Sequence, residues 1–316
     1  MKILVNDPLD EKAIEMLTKE HEVDIREYKK EELLEVIENY HAVLVRGRTK
    51  IDREIIEKAK NLKVIGRAGI GVDNIDIKYA GEKGIPVVNA PTGSTYSVAE
   101  LTMLHILALH RQFGVANSTT KEGKWEKKRL KGWELHGKTL GLVAVGRIGF
   151  EVASRARAFG MKVVAYDPYI SQEVLDKVEG KLYNSLEKVL READVVSIHS
   201  PLTEETYHMI GEKEFEIMKN SAFLVNCARG GIIDEKALYK ALVEKKIAGA
   251  ALDVFEHEPP SESPLLKLDN VHVTPHIGAN TYEAQEKAST IAAEQVLKVL
   301  KGQEGDFVVN RRFLKR

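Results

Sequence analysis

The chain has 316 residues, 43% of them apolar, and a formal net charge of −1, which is long for one hydrophobic core and ordinary for two. Near-neutral charge argues against nucleic acid or an acidic membrane as the main partner, and no stretch approaches the ~20 apolar residues of a transmembrane helix. The single cysteine, Cys227, excludes an internal disulfide, and the apolar run in "MKILVNDPLD" is too short for a secretion signal, so a cytoplasmic protein is expected.

In chain order, the first strand candidates are "KILVN", "EVDIRE", "HAVLVRG", "LKVIGRAG" and "IPVVNAP". Between them, "DEKAIEMLTKE", "KEELLEVIENY" and "DREIIEKAKN" carry apolar residues at helical spacing among charges. Repeated strand–helix alternation predicts a parallel sheet with helices on its faces. "STYSVAELTMLHILALHRQFGVANSTT" predicts a long apolar helix, packed between domains or between subunits. The basic segment after it, "KEGKWEKKRLKGWELHGK", reads as a solvated or subunit-contacting arm rather than a nucleic-acid patch. A second series starts at residue 139, with "TLGLVAV", "KVVAYD", "VVSIHS", "AFLVNCA", "AGAALDV" and "VHVTPH". Six such strands are the count of a full Rossmann sheet. The last helix, "TYEAQEKASTIAAEQVLKVLKG", and the tail are expected to cross back to the first domain. The expected fold class is α/β with two domains, each a parallel sheet flanked by helices. Residues 1–97 plus about 288–316 form a discontinuous substrate-binding domain, and residues 98–287 a Rossmann-type NAD-binding domain.

"GLVAVGRIGFEVASRARAFG" places a glycine-bearing turn after an apolar strand and before an Ala-rich helix, the context of a dinucleotide-binding loop. Gly146 lets the backbone approach a pyrophosphate, Gly149 lets the helix pack on the strand, and the helix start offers free N–H groups. Asp167 ends the next strand, where a carboxylate meets the ribose hydroxyls and repels the extra phosphate of NADP, so NAD is the expected cofactor. Ala144 stands where the fingerprint has its first glycine. It fits easily if its φ is negative and is strained if φ is positive.

Ligands of open α/β sheets sit beyond the carboxyl ends of the strands. Arg229 follows "AFLVNCA", Glu258 follows "AGAALDV", and His276 follows "VHVTP". These are the parts of a hydride-transfer site for a 2-hydroxy acid. His276 takes the hydroxyl proton, Glu258 orients it, and Arg229 holds a carboxylate and polarises the carbonyl. Each also has a plainer reading, as a surface ion pair, a solvated loop carboxylate or a strand-end cap. His272 and His276 lie on a strand-to-loop segment that does not put them on one helix face, so no metal site is expected. Cys227 reads as a small buried thiol, and His105 and His110 as packing residues.

The stretches "GRAGIGVDNID", "NAPTGSTYSVAE", "GRIG", "YDPY", "HSPLTEETYHMI", "NCARGGIIDEKAL", "ALDVFEHEPP" and "TPHIGA" cover nearly the whole chain. Together they resemble the D-isomer-specific 2-hydroxyacid dehydrogenases. The resemblance implies a homodimer built around the NAD domain, and Arg229, Glu258 and His276 as the catalytic set. It implies cofactor contacts from Gly146, Arg147, Ile148, Gly149, Asp167, Ser200, Pro201, Cys227, Asp253, His276 and Gly278. Substrate contacts would come from Arg229, from the backbone at Gly69, Ile70 and Gly71, and, for a phosphorylated substrate, from Arg46 or Arg48 and Arg67. Arginine suits bidentate phosphate binding, although these three could instead pair with acidic neighbours. Within the family the pattern is nearest to members that interconvert 3-phosphoglycerate and 3-phosphohydroxypyruvate, the first step of phosphorylated serine biosynthesis. The rivals are a glyoxylate or hydroxypyruvate reductase and, from another class, a non-catalytic NAD sensor. Ser94 departs from the family's commoner Asn. Long members carry a C-terminal domain that senses serine, and feedback through such a domain is not expected of this sequence.

Overall fold

The computed structural model describes residues 1–315 and divides into two compact units, Met1–Thr95 with the chain from Ala279 on, and Tyr96–Gly278. The expected return point near residue 288 lies inside the helix Tyr282–Leu300, and the return starts earlier, at Ala279. The reason is that this helix docks from its first turns: Lys12 pairs with Glu286, and the Asp10 N–H donates to Ser289 Oγ at 3.2 Å.

The first unit carries five parallel strands, β1 (Lys2–Val5), β2 (Glu22–Ile25), β3 (Ala42–Val45), β4 (Val64–Arg67) and β5 (Val87–Asn89), in the order β2-β1-β3-β4-β5. Helices cover both faces, so central strands read as unbroken apolar runs, and all four residues of β3 are buried. Aspartates start three of the four intervening helices: Asp10, Asp52 and Asp76 each accept a first-turn N–H, a cap that contributes about 1 kcal/mol. The order reverses between β1 and β3, so the loops after those two strands border a natural ligand crevice. The helix Tyr282–Leu300 lies on β4 closely enough that a Cβ on Gly66 would stand 2.6 Å from a Val296 methyl. Val308 then bridges antiparallel to Val88, and Asn310 Oδ1 accepts the Val87 N–H, which ties the tail to β5.

The second unit has seven parallel strands: β6 (Thr139–Val143), β7 (Lys162–Tyr166), β8 (Lys181–Tyr183), β9 (Val195–Ile198), β10 (Phe223–Asn226), β11 (Gly249–Leu252) and β12 (Val271–Val273), in the order β12-β11-β10-β9-β6-β7-β8. Six were expected. The unexpected one, β8, is a three-residue edge strand, "KLY", too short and too polar to stand out by pattern. The order reverses between β6 and β9, which places the switch point between the loop after β6 and the loop after β9. The single long helix expected from residue 94 is two helices, Thr95–Arg111 and Phe113–Lys121, broken at Gln112, whose φ is +49°. The second of these buries none of its residues.

Candidate active site

The loop after β6 is built by its own backbone and by Asp167. Ala144 N–H donates to Tyr166 O, and Val145 N–H donates to Asp167 Oδ2 at 2.8 Å. The other Asp167 oxygen accepts the Tyr169 N–H. The carboxylate therefore fixes the loop while keeping lone pairs for ribose hydroxyls. Ala144 has φ +68°, the conformation that favours glycine, so the missing first glycine is a real strain. Gly146 caps the helix Arg147–Ala158, and a Cβ there would enter open space. A Cβ on Gly149 would sit 2.9 Å from Ala144 O, so this glycine is what lets the helix lie on the loop. Opposite the loop, beyond β9, Ser200 Oγ is buried without a hydrogen-bond partner. A clear space over Gly146, an unused helix N-terminus and an orphaned hydroxyl fit a pyrophosphate-bearing cofactor. Arg147 and Pro201 are exposed and Ile148 is half-buried on the same side of the sheet. Cys227 is buried, and burial pushes its thiol up to about 12, so it packs and is no nucleophile.

The triad expected from the sequence comes together. Asp253, buried at the end of β11, accepts the Ile277 and Gly278 N–H groups at 2.8 Å each and the Thr274 hydroxyl at 2.6 Å. Its own carbonyl accepts the His276 N–H. These bonds hold His276 at φ +53°, a conformation a histidine adopts only when its surroundings impose it. His276 Nδ1 lies 2.8 Å from Glu258 Oε2. An ionised carboxylate only accepts, so Nδ1 carries the proton and Nε2 is left for a substrate. The two side chains remain 49% and 38% exposed, so the pair is open to a ligand. Burial alone would raise the Glu258 pKa; the hydrogen bond and charge of His276, the Phe255 N–H and the charge of Arg229 outweigh it and hold the carboxyl below its ordinary range. Arg229, half-buried, is fixed through its carbonyl, which accepts the Asn226 amide at 2.8 Å.

Two contacts went unread in the sequence. His105, expected only to pack, places Nε2 at 3.1 Å from Thr274 Oγ1; since that hydroxyl donates to Asp253, the imidazole must donate to it. His199 packs its ring 3.4 Å from the Cβ position of Gly149 and binds Ser197 Oγ through Nε2 at 2.9 Å. The first joins a helix to a loop 169 positions further on, and the approach of His199 to Gly149 follows from β9 lying beside β6. Among the described residues no group of His, Cys, Asp and Glu could hold a metal ion.

In the first unit, Arg46 and Arg67 flank the loops after β3 and β4. Arg46 is half-buried, and its guanidinium has no hydrogen bond or ion pair among the described residues. Burial lowers its pKa, partly offset by the charge of Asp7. Arg48 is 65% exposed and pairs with Glu27 at 2.9 Å, the plainer of its two readings. The Arg67 guanidinium folds over Gly69, where a Cβ would be 1.4 Å from its Nη1. The Ile70 and Gly71 N–H groups donate to nothing among the described residues, while Asn89 Nδ2 holds the Ile70 carbonyl at 2.6 Å.

The chain is similar to known proteins along most of its length. The family description "D-isomer specific 2-hydroxyacid dehydrogenase, NAD binding domain" matches residues 103–278. A D-3-phosphoglycerate dehydrogenase of Methanocaldococcus jannaschii is 54% identical over 98% of this chain and 59% of its own length. A hydroxypyruvate reductase of Thermotoga maritima is 49% identical over 95% of this chain and 98% of its own. The solved structure of a glyoxylate reductase from Paecilomyes thermophila superposes with a TM-score of 0.91 at 33% identity, covering 99% of each chain. This chain belongs to the D-isomer-specific 2-hydroxyacid dehydrogenase family, and its second unit carries that family's NAD-binding domain. It spans less than two thirds of the length of the first phosphoglycerate dehydrogenases it matches. No helix among the described residues is long and apolar enough to cross a membrane.

Proposed function

We propose that the protein is an NAD-dependent D-3-phosphoglycerate dehydrogenase, interconverting 3-phosphoglycerate and 3-phosphohydroxypyruvate at the entry to serine biosynthesis. The observation that carries the choice of substrate is Arg46, half-buried beside the strand-order reversal of the first unit, with Asp7 near it but no hydrogen bond or ion pair to its guanidinium among the described residues. A phosphate would take up the unused guanidinium N–H groups in bidentate geometry. Arg67 is a second candidate for the same anion. Arg48 is not, because Glu27 already occupies it.

Gly146, Gly149, Asp167 and Ser200 would hold the cofactor, with Arg147, Ile148, Pro201 and Cys227 beside them and Asp253 and Gly278 toward the nicotinamide. Bound NAD supplies a hydride acceptor and the reduced form a donor. His276 Nε2 accepts the hydroxyl proton during oxidation and returns it during reduction, and Glu258 stabilises the imidazolium that forms between. Arg229 holds the carboxylate and the carbonyl oxygen. In the first unit, the unused N–H groups of Ile70 and Gly71 are candidate donors to a substrate carboxylate. We further read the protein as cytoplasmic and as a homodimer; the homodimer is supported by the helix Phe113–Lys121, which buries none of its residues, and by Trp125, which is 83% exposed.

The test is NADH oxidation with 3-phosphohydroxypyruvate, hydroxypyruvate and glyoxylate in parallel, with NADPH as a control. A kcat/KM at least about tenfold higher for the phosphorylated acid supports this reading. Equal or better use of hydroxypyruvate would move the function to the second reading, a hydroxypyruvate reductase, which the full-length match to the Thermotoga maritima enzyme favours. Absence of turnover with every acid would point to an NAD sensor.

A further inference from the structure

Glu258 is exposed at the end of an irregular turn, yet its carboxylate must stay aligned with His276 Nδ1. The turn residues Phe255–Glu258 are pinned from three sides. A Cβ on Gly230 would stand 1.8 Å from the Phe255 carbonyl oxygen, so the loops after β10 and β11 touch backbone to backbone only because residue 230 has no side chain. Glu256 and Glu235 exchange hydrogen bonds: the Glu256 N–H donates to Glu235 Oε1 at 2.7 Å, and the Glu235 N–H donates to Glu256 Oε1 at 3.0 Å. The same Glu256 oxygen accepts from His208 Nε2 at 3.0 Å.

His208 belongs to "HSPLTEETYHMI", a stretch whose cofactor side is Ser200 and Pro201 and whose far end has no role in the chemistry above. Thr206 Oγ1 donates to the Pro201 carbonyl and accepts the Thr203 N–H, closing a turn that delivers His208 at φ +50°. The His208 N–H then donates to Gly231 O at 2.8 Å, and its ring stacks on Tyr207 at 4.0 Å. Asp234, which caps the helix Glu235–Val243, faces the other ring nitrogen at 3.9 Å. One imidazole thus joins the loops after β9, β10 and β11.

We propose that Glu256, held by His208 and Glu235, is a positioning residue: it fixes the Phe255–Glu258 turn and thereby sets the Glu258 carboxylate against His276. Glu256 touches neither substrate nor cofactor in this scheme. Its effect on turnover rests on the dehydrogenase reading, whereas its effect on the turn does not.

The experiment compares wild-type protein with Glu256→Ala, Glu256→Gln and His208→Ala. It measures steady-state kinetics with NADH and 3-phosphohydroxypyruvate or hydroxypyruvate, and amide hydrogen exchange over residues 253–260. Glu256→Ala is expected to lower kcat by about 10- to 100-fold, as loss of alignment does, with the KM for NADH within about twofold. Exchange over the turn should quicken. Glu256→Gln keeps an acceptor oxygen for both donors and should restore kcat to within about threefold of wild type. His208→Ala should move both readouts in the same direction as Glu256→Ala. Wild-type kcat and exchange in Glu256→Ala would overturn the proposal, as would a raised KM for NADH at unchanged kcat. If wild-type protein turns over no acid, the dehydrogenase reading falls, and exchange alone decides: faster exchange in Glu256→Ala supports the turn-fixing role, and unchanged exchange ends it.

Discussion

Of the non-glycine residues with left-handed backbone, two lie in the cofactor loop and the proposed catalytic set, Ala144 at φ +68° and His276 at φ +53°. For His276 the strain has a use, since the left-handed turn aims the imidazole and Asp253 holds the turn in place. Ala144 has no such use: its methyl only crowds its own carbonyl, at a cost of roughly 1–2 kcal/mol. Ala144→Gly removes that cost but frees the unfolded chain, which returns about 0.4–1 kcal/mol. The expected net is a rise of about 1 kcal/mol, read as roughly 2 °C in a thermal melt. Affinity for NADH should stay within about twofold by fluorescence titration, because Asp167 already fixes the loop. A fall in melting temperature would mean the loop is not left-handed at this position. The arginines separate on the same logic. Arg46→Ala should cut kcat/KM for 3-phosphohydroxypyruvate by about 100-fold or more and for glyoxylate by less than about threefold, since a charged bidentate contact is lost only with the phosphorylated acid. Arg48→Ala should leave both within about twofold, because a surface pair contributes little. Equal losses on both acids in Arg46→Ala would remove the phosphate role. Sequence placed all these side chains at strand ends, where the chemistry is. It could not give the sign of φ at residue 144, or choose between Arg46 and Arg48, because the first is set by the Asp167 bond across the loop and the second by a glutamate 21 positions away.

At the scale of elements, the strand runs were legible because buried parallel strands are apolar on both faces, and Gly149 with its helix was legible from local spacing. What escaped were contacts created by sheet order. β9 lies beside β6 although more than fifty residues separate them, and that adjacency packs the half-buried His199 against the first turn of the helix Arg147–Ala158. Loss of water around the ring pushes His199 down to about 4. The consequence for stability has a definite sign. Above about pH 6.5 the ring is neutral in both folded and unfolded chains and contributes no pH dependence. As pH falls from there toward 4, the unfolded chain gains a proton that the folded chain refuses, so stability drops by up to about 1.4 kcal/mol per pH unit from this residue. Below the folded pKa the slope vanishes. Urea unfolding of wild-type protein and His199→Gln at half-unit steps from pH 7.5 to 4.5 isolates the contribution. The wild-type curve should fall away from the variant's below about pH 6. Parallel curves would show that the ring titrates as it does in water.

At the scale of the whole molecule, the segment after residue 111 is the part of the chain that its own fold does least to explain. The helix Phe113–Lys121 has no buried residue, and Phe113, Trp125 and Trp133 are 59%, 83% and 47% exposed. Leu104, on the preceding helix, is also exposed. An isolated α-helix of this length is marginal in water. Two tryptophans interleaved with lysines in "KEGKWEKKRLKGW" suit an interface with an apolar centre and a charged rim. A second copy of the chain satisfies this most simply, because the same surface can meet itself about a two-fold axis. Light scattering behind size exclusion should therefore give twice the chain mass at micromolar concentration. The double substitution Phe113→Glu and Trp125→Glu should give the mass of one chain, with the far-ultraviolet circular dichroism signal of the sheets retained. Buried aromatic anchors commonly cost 2 kcal/mol or more each, so the dimer constant should weaken by roughly 1,000-fold if both lie at its centre. A wild-type protein that elutes as a monomer at every concentration would overturn the dimer, and a variant that remains dimeric would place the interface elsewhere on the chain.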